Sequence, residues 1–145
     1  MVRGIKENEL DDLLALYTHL HESGVPETTE GLKSTWRQIL EDGNHHIVVN
    51  EVGGDIVASC VCVIIPNLTR NCRPYALIEN VVTHKAFRRK GYATECLDYA
   101  KDIALKENCY KIMLLTGARD DETLRFYRNA GFNSEDKTAF IQWLE

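Results

Sequence analysis

The sequence predicts an α/β fold of the mixed α+β kind, a central sheet with helices packed on both faces. Three observations carry it. The elements follow the order strand, helix, helix, hairpin, strand, helix, strand, helix, strand; the run Tyr75 to Thr83 is apolar on both faces, as a central strand is; and between Ala76 and Ala104 an apolar strand passes through a basic turn directly into an amphipathic helix. A strand, helix, strand unit of this kind closes as a right-handed crossover.

Met1 to Lys6 reads as a short first strand. Asn8 then caps a helix with Glu9, Asp11 and Asp12 in its first turn, and Leu10, Leu13, Leu14, Tyr17 and Leu20 recur at helical spacing. Gly24-Val25-Pro26 breaks it. Thr28 or Thr29 caps a second helix with Leu32, Trp36, Ile39 and Leu40 inward, ending at Asp42-Gly43. Two strands follow, His46 to Val52 and Ile56 to Ile65, joined through Gly53-Gly54-Asp55 as a tight hairpin. Pro66 ends the second, and Asn67 to Pro74 is a polar loop carrying Arg70 and Arg73. The helix from Gly91 puts Ala93, Cys96, Leu97, Ala100, Ile103 and Ala104 on one face. Tyr110 to Thr116 reads as a buried strand, Asp120 to Glu122 open a fourth helix that Gly131 ends, and Thr138 to Leu144 reads as a last strand.

At 145 residues the chain suits one domain, 1–145, large enough for a real core. A net charge of −5 argues against a nucleic-acid-binding surface. No apolar run reaches about 18 residues, so no membrane span is expected. Cys60, Cys62, Cys72, Cys96 and Cys109 are odd in number and lack Cys-x-x-Cys spacing, and Met1-Val-Arg-Gly reads as no signal peptide. These features point to a reducing, cytoplasmic setting. Cys60, Cys62 and Cys96 read as buried small hydrophobes rather than nucleophiles. The pairs His19-x-His21 and His45-His46 lack metal-site spacing, so no metal is expected.

Against this acidic background the basic turn stands out. Lys85, Arg88, Arg89 and Lys90 fall where strand gives way to helix, and Gly91 lets the backbone be approached closely. The first turn of a helix has N–H groups without intrahelical partners and partial positive charge from the macrodipole, so an anion settles there. Arg and Lys add charge-assisted hydrogen bonds to a polyanion. A basic run alone reads first as a solvated turn; set between a strand and a helix it can also build a phosphate cradle.

The run Arg88-Arg89-Lys90-Gly91-Tyr92-Ala93 resembles the signature of the GNAT superfamily of acyl-CoA-dependent N-acetyltransferases: Arg or Gln, two residues, Gly, one residue, then Gly or Ala. Val81-Val82-Thr83 directly before it, and Phe126-Tyr127-Arg128-Asn129-Ala130-Gly131-Phe132 after it, fit the same family. The resemblance covers Tyr75 to Phe132, with the flanks matching by element order. It implies the GNAT fold, with a mixed, mostly antiparallel sheet, and acetyl-CoA as co-substrate. It also implies that the main chain of Arg88, Arg89, Lys90, Gly91, Tyr92, Ala93 and Thr94 holds the pyrophosphate, while Val81, Val82 and Thr83 splay at a bulge and pair with the pantetheine arm. A freed N–H near Val81 would serve the oxyanion.

Acyl transfer to an amine further needs a proton for the departing thiolate and a group to take one from the amine. Resemblance assigns the first to Tyr127; a helical Tyr is otherwise core. Glu79 is a carboxylate inside an apolar run, where burial without a partner is costly. It is either paired structurally, with Arg70 or Arg73, or turned into a pocket at the bulge as the general base. The stretch Ile78-Glu79-Asn80-Val81-Val82 is similar to that of glucosamine-6-phosphate N-acetyltransferases, where acidic residues adjoin the reacting amine. Asp120 and Thr123 stand where the family often has Asn and Ala, a departure that touches the side-chain contact to the pantetheine arm.

The leading expectation is an acetyl-CoA-dependent transferase acting on a small-molecule primary amine, bordered by Arg70, Arg73 and the segment from His21 to Thr29; the two arginines hint at an anionic acceptor. Its rivals are a protein or peptide amine acetyltransferase and a non-catalytic acyl-CoA-binding module. A Rossmann domain is weaker, since Gly-x-Gly-x-x-Gly is missing. The apolar last strand would need cover as an edge, which predicts a homodimer through the C-terminal strands.

Overall fold

The computed structural model describes residues 1–21 and 23–145. The elements are β1 Val2–Gly4, α1 Leu10–Tyr17, α2 Glu30–Glu41, β2 His45–Val52, β3 Asp55–Ile65, β4 Tyr75–Thr83, α3 Tyr92–Lys106, β5 Ile112–Leu114 and α4 Asp121–Asn129. They build a sheet in the order β1-β2-β3-β4-β5. The first four strands are antiparallel, and β5 joins β4 in parallel through the α3 crossover. The expected mixed, mostly antiparallel sheet is therefore present.

Alternation along the strands divides the core. Val48, Ala58, Cys60, Cys62, Ile64, Ala76 and Ile78 face α3, whose Cys96, Ala100 and Ala104 supply small side chains for close approach beside Leu97; Phe126 and Tyr127 of α4 and Ala130 at its end pack against the same cluster. Ile47, Val49 and Val61 face the other way, onto Leu13 of α1 and Trp36 of α2. Cys60 and Cys62 thus share one face, as their spacing predicts.

The N-terminal layer is tied by charge. Arg3 on β1 donates to both carboxylate oxygens of Glu9, at 2.9 and 2.7 Å, and to Glu51 on β2 through Nε at 3.1 Å. These bonds to Arg3 hold the Glu9 carboxyl down to about 2 against the opposing effect of desolvation, and the same guanidinium lowers Glu51. A depressed carboxyl stabilises the fold above its ordinary pKa, and that contribution is lost as pH falls through the folded value. Thermal stability should therefore drop as pH falls from about 4.5 to about 2. Circular-dichroism melts of Arg3→Met across that window should show a flatter slope.

Several boundaries differ from expectation. A 3-10 turn at Glu7–Glu9, not Asn8, opens α1, which ends at Tyr17 before Leu20 is reached. Leu40 is exposed rather than inward. The loop before β4 contains a turn at Thr69–Cys72 with Arg70, Asn71 and Cys72 all at positive φ. β5 is three residues long instead of seven.

The largest correction is at the C-terminus, where no strand forms between Thr138 and Leu144. Asn133 Oδ1 accepts from the N–H groups of Glu135 and Asp136, at 3.2 and 3.1 Å, and turns the chain away. Phe140, Ile141, Trp143 and Leu144 are left exposed.

Candidate active site

The site begins where β4 and β5 part. Their ladder runs Ala76↔Ile112, Leu77↔Met113, Ile78↔Leu114 and stops, while β4 continues to Thr83. From Glu79 to Thr83 the main chain keeps β3 on one side and has no strand on the other. On the β3 side the register slips: Glu79 pairs with Val61 but Val82 pairs with Ser59, so β4 carries one extra residue opposite Cys60. Asn80 takes up the extra length at φ 51°. This is a β-bulge, and it reverses the side-chain parity of the strand. Ala76 and Ile78 face α3 before it; Val81 and Thr83 face that side after it, and Val82 turns to the α1/α2 side.

The bulge places Glu79 on the α1/α2 face, opposite Val61, and leaves both Glu79 and Asn80 exposed. The expectation of a buried carboxylate is thereby corrected, because the outward kink of the bulge carries it to solvent. Pairing with Arg70 or Arg73 is also corrected, since both lie at the opposite end of β4. Arg70 stacks over Tyr110 at 5.5 Å, and Arg73 donates to the carbonyls of Asn108 and Cys109 at 3.1 Å each. They do not border this cleft. The segment from His21 to Thr29 includes position 22, which is outside the described residues.

Beyond β4, a 3-10 turn at Lys85–Phe87 leads to Gly91, the N-cap of α3, at φ 86°. No side chain caps the helix, so the N–H groups of its first turn are unspent by the protein. A Cβ built on Gly91 would meet no atom within 4 Å, so a side chain there would project into open space. An uncapped helix start fronted by open space and ringed by cations fits a pyrophosphate. The cations are partly engaged already. Arg88 reaches the carbonyls of Thr83 and His19 at 3.4 and 3.5 Å, Lys90 lies over the Phe87 ring, and Arg89 pairs with Glu122 at 3.1 Å. The Arg89–Glu122 pair is open to water on both sides and holds little energy, about 0–1 kcal/mol, so a phosphate can take the place of Glu122.

Tyr127 comes to the site from α4. Asp120 caps that helix, accepting from Thr123 N at 2.9 Å and Thr123 Oγ1 at 2.8 Å. The pair that departs from the family pattern is thus engaged with itself. At the other end Phe132 N donates to Tyr127 O at 3.1 Å and Gly131 N to Arg128 O at 3.0 Å, with Gly131 at φ 99°, a Schellman motif that fixes the turn carrying Tyr127. Phe126 and Phe132 pack edge-on against its ring. Burial, with a smaller contribution from Cys60, pushes the phenol up, so it keeps its proton at neutral pH. Cys60 is the β3 residue facing the bulge, and Tyr127 packs against the cluster that contains it.

Sequence reasoning missed four supporting residues. The Tyr17 phenol of α1 is raised by burial, with an opposing influence from Asn80 at the bulge. Asn50, the lone amide in a buried strand run, donates to Tyr92 O and Glu95 Oε2 at 3.2 and 2.6 Å and pins the first turn of α3. The His19 and His84 rings meet at a tilt with centroids 4.1 Å apart, and His19 Nδ1 accepts from Lys85 N at 3.4 Å, linking the chain just after α1 to the cradle. Only Asn50 left a sequence signal, a polar residue inside Ile47-Val48-Val49 and Glu51.

Residues 10–132 match the acetyltransferase (GNAT) family. The chain is similar to the glucosamine 6-phosphate N-acetyltransferase of Trypanosoma brucei brucei, 25% identical over 136 residues, covering 94% of this chain and 90% of that one. Among solved structures it is similar to a provisionally assigned acetyltransferase of Agrobacterium tumefaciens str. C58, at TM-score 0.92 and 38% identity with 99% of each chain covered. An aminoglycoside acetyltransferase from an uncultured soil metagenomic sample, solved with trehalose, shares the fold at TM-score 0.84 and 16% identity, covering 100% of this chain and 95% of that one. The chain belongs to the acetyltransferase (GNAT) family, enzymes that transfer acetyl groups from acetyl-CoA.

Proposed function

We propose that residues 1–145 form one N-acetyltransferase domain that acetylates a primary amine of a small molecule, with Tyr127 as general acid and Glu79 as the group that receives the amine proton. The observation that carries the reading is the parting of β4 from β5 at Ile78, which leaves five residues of strand main chain leading straight to the uncapped start of α3. Acetyl-CoA supplies an activated acyl carbon and a thiolate leaving group. Arg88 to Thr94 hold the pyrophosphate by main-chain N–H groups, and Val81, Val82 and Thr83 offer the pantetheine arm a strand edge. The amine nitrogen bonds to the acyl carbon, the carbon–sulfur bond breaks, Tyr127 Oη protonates the sulfur, and the amine proton leaves to Glu79 directly or through water.

Amino-sugar acceptors are the first to test, because two of the similar proteins carry such acceptors in their names. The exposure of Glu79 and Asn80 favours a second reading, an acceptor amine on a protein or peptide that lies across an open groove. One panel separates them: CoA thiol release with glucosamine 6-phosphate, an aminoglycoside, and a lysine peptide. Transfer to the sugars alone establishes the small-molecule reading, transfer to the peptide alone the other, and CoA binding with no transfer sinks both. Glu79→Gln should lower kcat/KM at neutral pH by about tenfold to a hundredfold, at or below the low end of the ~10²–10⁴-fold range for a positioned base because Glu79 is exposed. The deficit should shrink as pH rises toward the amine's own pKa. A pH-independent deficit would remove Glu79 from proton transfer.

The five unpaired cysteines support a cytoplasmic location, and among the described residues no helix is long and apolar enough to cross a membrane. We also place a second copy of the chain as partner, in a homodimer, on the exposure of the C-terminal apolar residues.

A further inference from the structure

The cradle at the start of α3 would bind through main-chain N–H groups, so its aim depends on how the chain arrives there. The approach is short: only residues 88–90 separate the 3-10 turn Lys85–Phe87 from Gly91. His84 opens this turn. Its N–H donates to Val57 O on β3 at 2.8 Å, its carbonyl accepts from Phe87 N at 2.8 Å, and its Nδ1 accepts from Ala86 N at 3.1 Å. From the other side, just past the end of α1, His19 Nδ1 accepts from Lys85 N at 3.4 Å, and the His19 carbonyl accepts from Arg88 Nη2 at 3.5 Å. Consecutive main-chain donors of one turn thus end on two imidazoles whose centroids are 4.1 Å apart, with Phe87 set edge-on against His84.

Both rings are used in one protonation state. A ring nitrogen that accepts a hydrogen bond carries no proton, so each histidine is held neutral with its proton on Nε2. Desolvation pushes His19 down, and His84, Lys85 and Arg88 push it the same way. Four charged groups face the pair. Lys85 and Arg88 on the turn disfavour a further positive charge, whereas Asp12 on α1 and Asp55 at the head of β3 favour one. The two carboxylates and the two rings line a cavity of about 360 Å³. A space of that size admits water, and with it protons, to the rings.

Resting on the acetyl-CoA reading above, we propose that His19 and His84 are positioning residues for the coenzyme. As paired acceptors they clamp the turn between β4 and α3 to the end of α1 and to β3, and so set the direction in which the first-turn N–H groups of α3 meet the pyrophosphate. They act through Lys85, Ala86 and Arg88 and touch no reacting atom. When either ring takes a proton, its Nδ1 becomes a donor facing a donor, and the clamp opens on that side. The first proton resists the second at this separation, so the pair titrates as one unit. Coenzyme binding is therefore fullest above the ordinary histidine value of about 6.5 and weakens as pH falls below it.

The test is calorimetric titration of CoA into three proteins, each checked for native circular dichroism, at about pH 7.5 and about pH 5.5, on either side of the histidine range. They are the wild type, His19→Ala with His84→Ala, and His19→Asn with His84→Asn. Asparagine Oδ1 takes the accepting place of Nδ1, caps a turn well and does not titrate. At the higher pH the alanine pair should bind CoA about tenfold more weakly than wild type, the loss that one or two hydrogen bonds account for, and the asparagine pair within about threefold of wild type. At the lower pH wild type should weaken by about a further fivefold to tenfold relative to the asparagine pair, which sets the baseline for protonation of the phosphates of CoA itself. Should the alanine pair lack the native spectrum, the pH comparison of wild type with the asparagine pair decides alone. An alanine pair that binds as wild type does, or an asparagine pair no better than the alanine pair, would overturn the clamp. Wild-type binding that strengthens on acidification relative to the asparagine pair would overturn the acceptor role, since the rings would then act on the phosphates as charge. A wild type that binds no CoA at either pH would sink the acetyl-CoA reading itself.

Discussion

Tyr127→Phe should lower kcat by about 10²–10⁴-fold, the usual cost of losing one positioned proton donor, while CoA affinity stays within a factor of about two. The two effects separate because different parts of the chain produce them. The phenol comes from α4, fixed by the Gly131 bend and the flanking Phe126 and Phe132 rings, none of which a Phe ring disturbs. The cradle is main chain at the start of α3 and along β4. Burial holds the phenol above its ordinary pKa, so it is a proton donor and not a phenolate at neutral pH. Steady-state kinetics with saturating amine, beside calorimetric titration of CoA, check the prediction. A fall of less than tenfold in kcat would remove Tyr127 from the acid role.

Gly91→Val should do the reverse, weakening CoA by about tenfold or more while leaving a smaller effect on kcat at saturation. Gly91 sits at φ 86°, where an L side chain costs about 1–2 kcal/mol and a β-branched one more. One such increment is already close to tenfold in affinity if the backbone relaxes away from the cradle geometry. The new side chain also enters the open space in front of the first-turn N–H groups. Gly91→Ala carries the same backbone strain with a smaller obstruction, so its loss should be intermediate. CoA titrations of the three proteins order them, and a Val variant that binds CoA as well as Gly91 would mean that the anion sits elsewhere. Thermal melts should fall by a few degrees in both variants, the shift expected of about 1–2 kcal/mol in a domain of this size.

The parts of the fold that were legible in the sequence are those with local causes. The Gly53-Gly54 hairpin, the strand Tyr75–Thr83, the helix after Gly91 and the helix start at Asp120–Glu122 are each written in adjacent residues, and each lies where its pattern puts it. The bulge was not legible from residue type. One extra residue at Asn80 reverses the parity of β4, and no apolar or polar pattern distinguishes an inserted residue from a strand buried on both faces. Glu79 was misplaced for that reason: Ile78 before it is buried, but the strand opens to solvent at Glu79 and Asn80. Arg70 and Arg73 were misplaced because closeness in sequence to β4 does not say which end of a nine-residue strand the chemistry uses. The tail from Thr138 to Leu144 was misread in a different way. Its composition has a bent for strand, but a strand needs a neighbour to pair with, and none among the described residues of this chain pairs with it. His19 and His84 meet across 65 positions of sequence, and only the fold brings them together.

Four of the five thiols lie in the core. Cys60, Cys62, Cys96 and Cys109 are buried, and burial raises all four, Cys62 to about 11 and Cys96 to about 12, while Cys72 lies exposed on the loop before β4. A thiol-reactive dye added to the native protein therefore finds one accessible sulfur per chain, and four more when the sheet opens. The chain carries its own unfolding gauge. A rapid single equivalent followed by slow, amine-dependent growth is turnover, whereas a jump of four equivalents that ignores the amine is loss of the fold, and Cys72→Ser clears the remaining background.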